Sequence, residues 1–248
     1  MKKIIISVLF FLSFLNAKVI YVAAAANVSF ALPELIKEFN KTYKDIEIKT
    51  VLGSSGKLTA QIKNSAPFHL FLSANMKYPN TLYKEGFAIT KPVVYAKGSL
   101  AILSVKKRDF SKGIFVCLDE NIKRIVIANP KTAPYGKAAK EALENAKIYE
   151  KVKDKLIFGE SISQTVSYTL KAADIGFISK SALFSSKMRR FKKDVNWVEV
   201  DKRYYKPIEQ GIVLLKDDKE ARKFYDFLLS KKAKEIFRKY GYLVGVKK

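Results

Sequence analysis

The sequence holds one cysteine, Cys117, and one histidine, His69. A single cysteine permits no disulfide within the chain, so the fold must stand on its core. One cysteine and one histidine supply no ligand set at metal-binding spacing. There is no Gly-x-Ser-x-Gly nucleophile turn, and no carboxylate pair sits at matching turns for acid–base work. After residue 17 no apolar run is long enough to cross a bilayer. Acidic residues are scarce as well, 23 Asp and Glu against 47 Lys and Arg, for a net charge of +24. That balance suits nucleic acid, an anionic membrane or an anionic solute. The lysines are spread along the chain without a nucleic-acid motif, which disfavours a basic nucleic-acid or membrane-surface binder. The runs Lys187–Lys193 and Lys231–Lys239 read as solvated faces.

The opening residues do show a pattern. Met1-Lys2-Lys3 is a short positive segment, Ile4–Leu15 an apolar one, and Ala17 a small residue at the expected cleavage point. Residues 1–17 therefore read as a cleaved signal peptide. No cysteine follows for lipid attachment, so a soluble, exported, periplasmic product beginning near Lys18 is expected. Its length suits one large or two modest domains. Cys117, between Val116 and Leu118, reads as a small buried apolar residue.

The chain then repeats one unit: an apolar strand, a turn of small polar residues, an amphipathic helix. Val19–Ala26 leads through Asn27 to a helix carrying Leu32, Leu35, Ile36 and Phe39. Ile46–Val51 leads through Gly53-Ser54-Ser55-Gly56 to a helix with Leu58 and Ile62. His69–Ala74 closes a third strand. Arg124–Ala128 runs into Asn129–Gly136 and a helix from Ala138. Lys155–Phe158 runs into Gly159–Ser163 and a helix over Thr165–Leu170, and Ala173–Ile178 is a strand ending at Ser179. Alternation of this kind predicts parallel sheets with right-handed crossovers. Two extended stretches break it, Val93–Val105 and Pro207–Leu215, and these are where the chain crosses between halves. The expected fold class is α/β, a two-lobed clamshell of the periplasmic-binding-protein type. Residues 18–97 and 207–248 form lobe I, and the inserted residues 98–206 form lobe II.

A Gly/Ser turn that opens a helix presents free backbone N–H groups and a positive dipole end, which is an anion site. For one such turn taken alone, an ordinary helix cap is the better reading. Several of them facing one cleft favour the anion. Lys57, just after the Gly53–Gly56 turn, is expected to face solvent, while Ser54 is expected to support the turn. A Ser55–Lys57 nucleophile pair is disfavoured, because residues i and i+2 on a helix face different ways.

Six segments in order also resemble the periplasmic molybdate-binding proteins of ATP-driven importers, over essentially the whole length after residue 17. They are Ala23–Asn27, Gly53–Leu58, Ala66-Pro67 through Ala74, Asn129–Gly136, Ala173–Phe177 and Tyr205–Ile208. The resemblance implies a ligand shell of Asn27 and Ser55 from one lobe, by side chain and backbone N–H. Tyr135 and Ile162 follow from the other, by backbone N–H. Ser179 stands where some members use a Tyr hydroxyl and is the fifth candidate. Asn27 stands where many members have Ser, and His69 where Asp is usual; the latter has no functional reading. No direct metal ligand and no cofactor are implied. The expected ligand is molybdate or tungstate, the expected partner a membrane permease, and the expected state a monomer without nucleic acid. The alternatives are the same fold binding another tetrahedral oxyanion such as sulfate and, more remotely, an exported α/β hydrolase-like enzyme.

Overall fold

The computed structural model describes residues 18–245; the expected signal peptide lies outside the described residues. The strands are β1 (Lys18–Ala25), β2 (Ile46–Gly53), β3 (Leu70–Ser73), β4 (Val93–Gly98) and β5 (Leu100–Leu103). They continue with β6 (Ile125–Ala128), β7 (Leu156–Gly159), β8 (Ile175–Ser179), β9 (Trp197–Glu199) and β10 (Ile208–Leu214). The helices are α1 (Leu32–Phe39), α2 (Ser55–Lys63), α3 (Lys77–Lys84) and α4 (Pro134–Asn145). After them come α5 (Tyr149–Val152), α6 (Ile162–Lys171), α7 (Lys219–Leu229) and α8 (Lys231–Lys239).

Two five-stranded sheets result, β2-β1-β3-β10-β4 and β7-β6-β8-β5-β9. In each, three strands are parallel and joined through helices, while the strands next to them run antiparallel. The two orders are the same plan used twice, a two-lobed α/β clamshell. A strand with helices on both faces is apolar on both faces, and its alternate side chains go to different layers. Ile20, Val22 and Ala24 of β1 join a core with Leu35, Phe39, Phe224 and Phe237, while Ala23 joins Leu58, Ile62 and Phe71 on the opposite face. In the second sheet Leu100, Ile102 and Phe177 face one core, and Ala101, Leu103 and Ile178 the other. Each large side chain so buried contributes roughly 1.5–3 kcal/mol. Cys117 is buried in one of these cores, and burial pushes its thiol up to about 12, so it packs as an apolar residue.

The chain passes from one sheet to the other at Ser99, between β4 and β5, and returns between β9 and β10. The two crossings lie side by side, with Gly98 paired to Ile208 and Lys97 to Glu209. Tyr205 pins them, its hydroxyl accepting the Leu100 N–H at 3.1 Å. After α8 the backbone turns at Gly241, whose φ of 74° is the left-handed helix stop that its position predicts. Tyr242 then returns to the interior, 3% exposed.

Candidate functional site

Strands of one plan, facing each other, bring the starts of their following helices to a common cleft. A small cavity lies there, about 10 Å³, room for one water-sized sphere. Its lining comes from four turns: Ala25–Asn27, Gly53–Ser55, Ala133–Tyr135 and Ile162, with Ala74 beside them. Asn27, Ser55, Tyr135 and Ile162 are thus brought together. Ser179 is not among the lining residues; it is fully buried behind Asn27, bonded to the Ser181 hydroxyl at 3.0 Å. Ser181 in turn donates to the Asn27 carbonyl at 3.0 Å. The lining holds no charged side chain.

Three of the turns are helix N-termini, where the first N–H groups have no partner within the helix. Ser54 caps α2, its hydroxyl accepting the Lys57 N–H at 3.4 Å, as its position predicts. That leaves Ser55 as the first helical residue, fully buried. Its Oγ accepts the Ala74 N–H at 2.9 Å, which leaves the hydroxyl hydrogen free to donate. In α4, Pro134 occupies the first turn at no cost in hydrogen bonds, and the next N–H is that of Tyr135. Ser161 caps α6 by accepting the Gln164 N–H at 3.3 Å, so Ile162 opens the helix. Its first turn contains no acidic residue, and neither does that of α2 or α4.

The lobes touch around this cavity. The Gly56 N–H donates to the Thr132 carbonyl at 2.9 Å, and the Ser163 hydroxyl to the Ala26 carbonyl at 3.2 Å. A Cβ on Gly56 would lie 3.0 Å from that carbonyl oxygen and 2.8 Å from the Tyr78 hydroxyl, so the approach needs glycine. At the rim, Lys57 Nζ sits 2.8 Å from Glu160 Oε1 of the other lobe. Lys57 was expected simply to face solvent. It is half-exposed, but it reaches across the cleft.

Behind the lining is a polar cluster that sequence reasoning missed. Asn27 Nδ2 donates to Gln210 Oε1 and to the Tyr242 hydroxyl, both at 2.8 Å. Gln210 Oε1 also accepts the Tyr95 hydroxyl, and its Nε2 donates to the Tyr135 hydroxyl, each at 3.2 Å. Burial holds the Tyr95 and Tyr135 phenols well above their ordinary range and pushes Tyr242 up to about 12, so all three keep their protons. A register shift between β4 and β10 at Gln210 places Tyr95 as the extra residue and aims both side chains inward. The one available signal was a glutamine inside the apolar stretch of β10.

Residues 20–243 match the family model described as "Bacterial extracellular solute-binding protein". The chain belongs to the bacterial extracellular solute-binding proteins. Within this solute-binding family it is 36% identical over 231 residues to the molybdate-binding protein ModA of Rhodobacter capsulatus, covering 90% of this chain and 88% of that protein. It is 34% identical over 232 residues to the Azotobacter vinelandii protein of the same name, covering 92% and 90%. The solved structure of the Azotobacter vinelandii periplasmic molybdate-binding protein superposes with a TM-score of 0.83 at 29% identity. That match covers 92% of this chain and 100% of the other. Among the described residues no helix is long and apolar enough to cross a membrane, and no group of His, Cys, Asp and Glu is placed to hold a metal ion.

Proposed function

We propose that this solute-binding protein captures molybdate, and tungstate with it, in the periplasm and presents the closed form to the permease of an ATP-driven importer. The observation that carries the reading is the convergence of three helix N-termini and the Ser55 hydroxyl on a cavity with no charged side chain. A fully deprotonated tetrahedral oxyanion offers acceptors only, and this lining offers donors. The ligand set is Asn27 and Ser55 from lobe I with the N–H groups of Tyr135 and Ile162 from lobe II, while Ser179 and Ser181 support Asn27 from behind. Charge-assisted hydrogen bonds contribute about 1.5–3 kcal/mol each, so several together give tight capture without a buried counter-charge.

Neutral donors at fixed positions select by size: a smaller anion that misses one lobe leaves buried N–H groups unpaired. A carboxylate in the lining would accept a proton from hydrogen phosphate, and its absence disfavours phosphate. Residues 18–97 with 207–248 and residues 98–206 act as the two jaws, hinged where β4 and β10 run together, and the anion bridges them. The protein works as a monomer and catalyses nothing. Calorimetric titration of the chain lacking residues 1–17 is the test. One molybdate per chain, with tungstate competing and sulfate weaker, is the expected outcome. Sulfate binding in the absence of any molybdate heat contradicts it.

A further inference from the structure

Asn27 is 1% exposed, and its amide is half satisfied. Both Nδ2 hydrogens are spent on Gln210 and Tyr242, while Oδ1 is buried without a partner. The edge left over for the cavity that Asn27 lines is therefore an acceptor, the wrong sign for an oxyanion. The two ends of a carboxamide are nearly equal in size, so a half-turn about its last torsion needs no extra room. Turned alone, Asn27 would set its Oδ1 against Gln210 Oε1, acceptor on acceptor. Turned together, the two amides keep one hydrogen in every contact. Gln210 Nε2 then donates to Asn27 Oδ1 and to the Tyr95 hydroxyl, and the Tyr135 hydroxyl donates to Gln210 Oε1. The Tyr242 hydroxyl, now 2.8 Å from the Asn27 carbonyl oxygen, swings its hydrogen to Asn27 Oδ1. The carbonyl it leaves still receives the Ser181 hydroxyl. The edge facing the cavity becomes Nδ2, a donor.

We infer that Gln210 is a positioning residue for the anion: in the loaded protein the Asn27 and Gln210 amides stand reversed from their orientation in this structure. The inference rests on the oxyanion reading of the site. Gln210 sits on β10, the strand that begins the return into lobe I, yet one of its partners is Tyr135 of lobe II. The donor edge of Asn27 is thereby tied to a contact that exists only when the lobes are together.

A double-mutant cycle read by calorimetry with molybdate tests this. Gln210→Met weakens binding at least tenfold in the otherwise unaltered chain and less than twofold in an Asn27→Ala background, because its effect passes through the Asn27 amide. Equal losses in both backgrounds, as a merely structural glutamine gives, overturn it. Should Gln210→Met fail to fold, side-chain amide NOEs of the unmutated, molybdate-saturated protein decide. Gln210 Nε2 hydrogens strongest to the Tyr95 ring support the inference; strongest to the Tyr135 ring, they overturn it. An unmutated chain that binds no molybdate instead sinks the oxyanion reading itself, and this inference with it.

Discussion

The two lobes share one sheet plan but arm the cleft differently. In the proposed ligand set lobe I contributes side chains, the Ser55 hydroxyl and the Asn27 amide, and lobe II the backbone at Tyr135 and Ile162; the Tyr135 ring is turned back toward Gln210. A side-chain donor has to be a particular residue. A backbone donor needs only a helix that starts in the right place, so its residue type is free. The two halves of one clamp should therefore answer differently to mutation.

The sharpest contrast is at Ile162. Proline at a first helical position keeps the helix and removes the N–H, and the extended backbone of Ser161 (ψ 167°) already suits a following proline. Ile162→Pro is expected to cost tenfold or more in molybdate affinity by calorimetry, at an unchanged circular dichroism spectrum. Ile162→Ala, which keeps the N–H, is expected to cost less than about threefold. In lobe I the opposite holds: Ser55→Ala removes a charge-assisted bond and strands the Ala74 N–H, for a loss of about tenfold or more. A loss below about twofold would remove Ser55 from the ligand set.

Closure comes next in size. Gly56→Ala pushes on Thr132 of the opposite lobe. It is expected to weaken binding about fivefold while leaving the melting temperature of the free protein within a degree or two, which thermal denaturation checks. The rim pair Lys57–Glu160 has both side chains at least half exposed. Lys57→Ala should therefore cost about twofold at low salt and nothing in high salt, read by titration at two ionic strengths.

The smallest effect lies far from the cleft. His69 Nδ1 accepts the Tyr21 N–H at 3.1 Å, and burial, with Lys216 nearby, holds its pKa below the ordinary histidine range. The folded protein thus binds fewer protons here than the unfolded chain. The contribution is complete above the ordinary histidine range and is lost as pH falls through the lowered value. A His69→Gln variant should show a flatter melting temperature as pH falls below about 6.5, the reference histidine pKa.

What could be read in advance follows the same division. The strand–turn–helix rhythm was legible because buried parallel strands are apolar runs and the helices carry their apolar residues at i, i+3 and i+4. The lining positions were legible because Gly/Ser and Asn-Pro turns mark helix starts. The Ser55 and Asn27 side chains carried their own chemistry, whereas Ile162 came only through the family resemblance, since an isoleucine announces no donor. Ser179 was expected in the ligand shell, but the lining leaves it out and its neighbour Ser181 reaches Asn27. The Gln210–Tyr95–Tyr242 cluster joins residues more than a hundred positions apart through a sheet register, and no local pattern encodes that. Lys57 found a partner on the other lobe for the same reason.

The proposed site holds an oxyanion by neutral donors from both lobes and by no cation. A crystal structure of the molybdate-saturated protein tests it most directly. Anion oxygens are expected at hydrogen-bond distance, about 2.7–3.2 Å, from the Ser55 hydroxyl, the Asn27 amide and the N–H groups of Tyr135 and Ile162. An anion held by a lysine, or contacted by one lobe only, would contradict it.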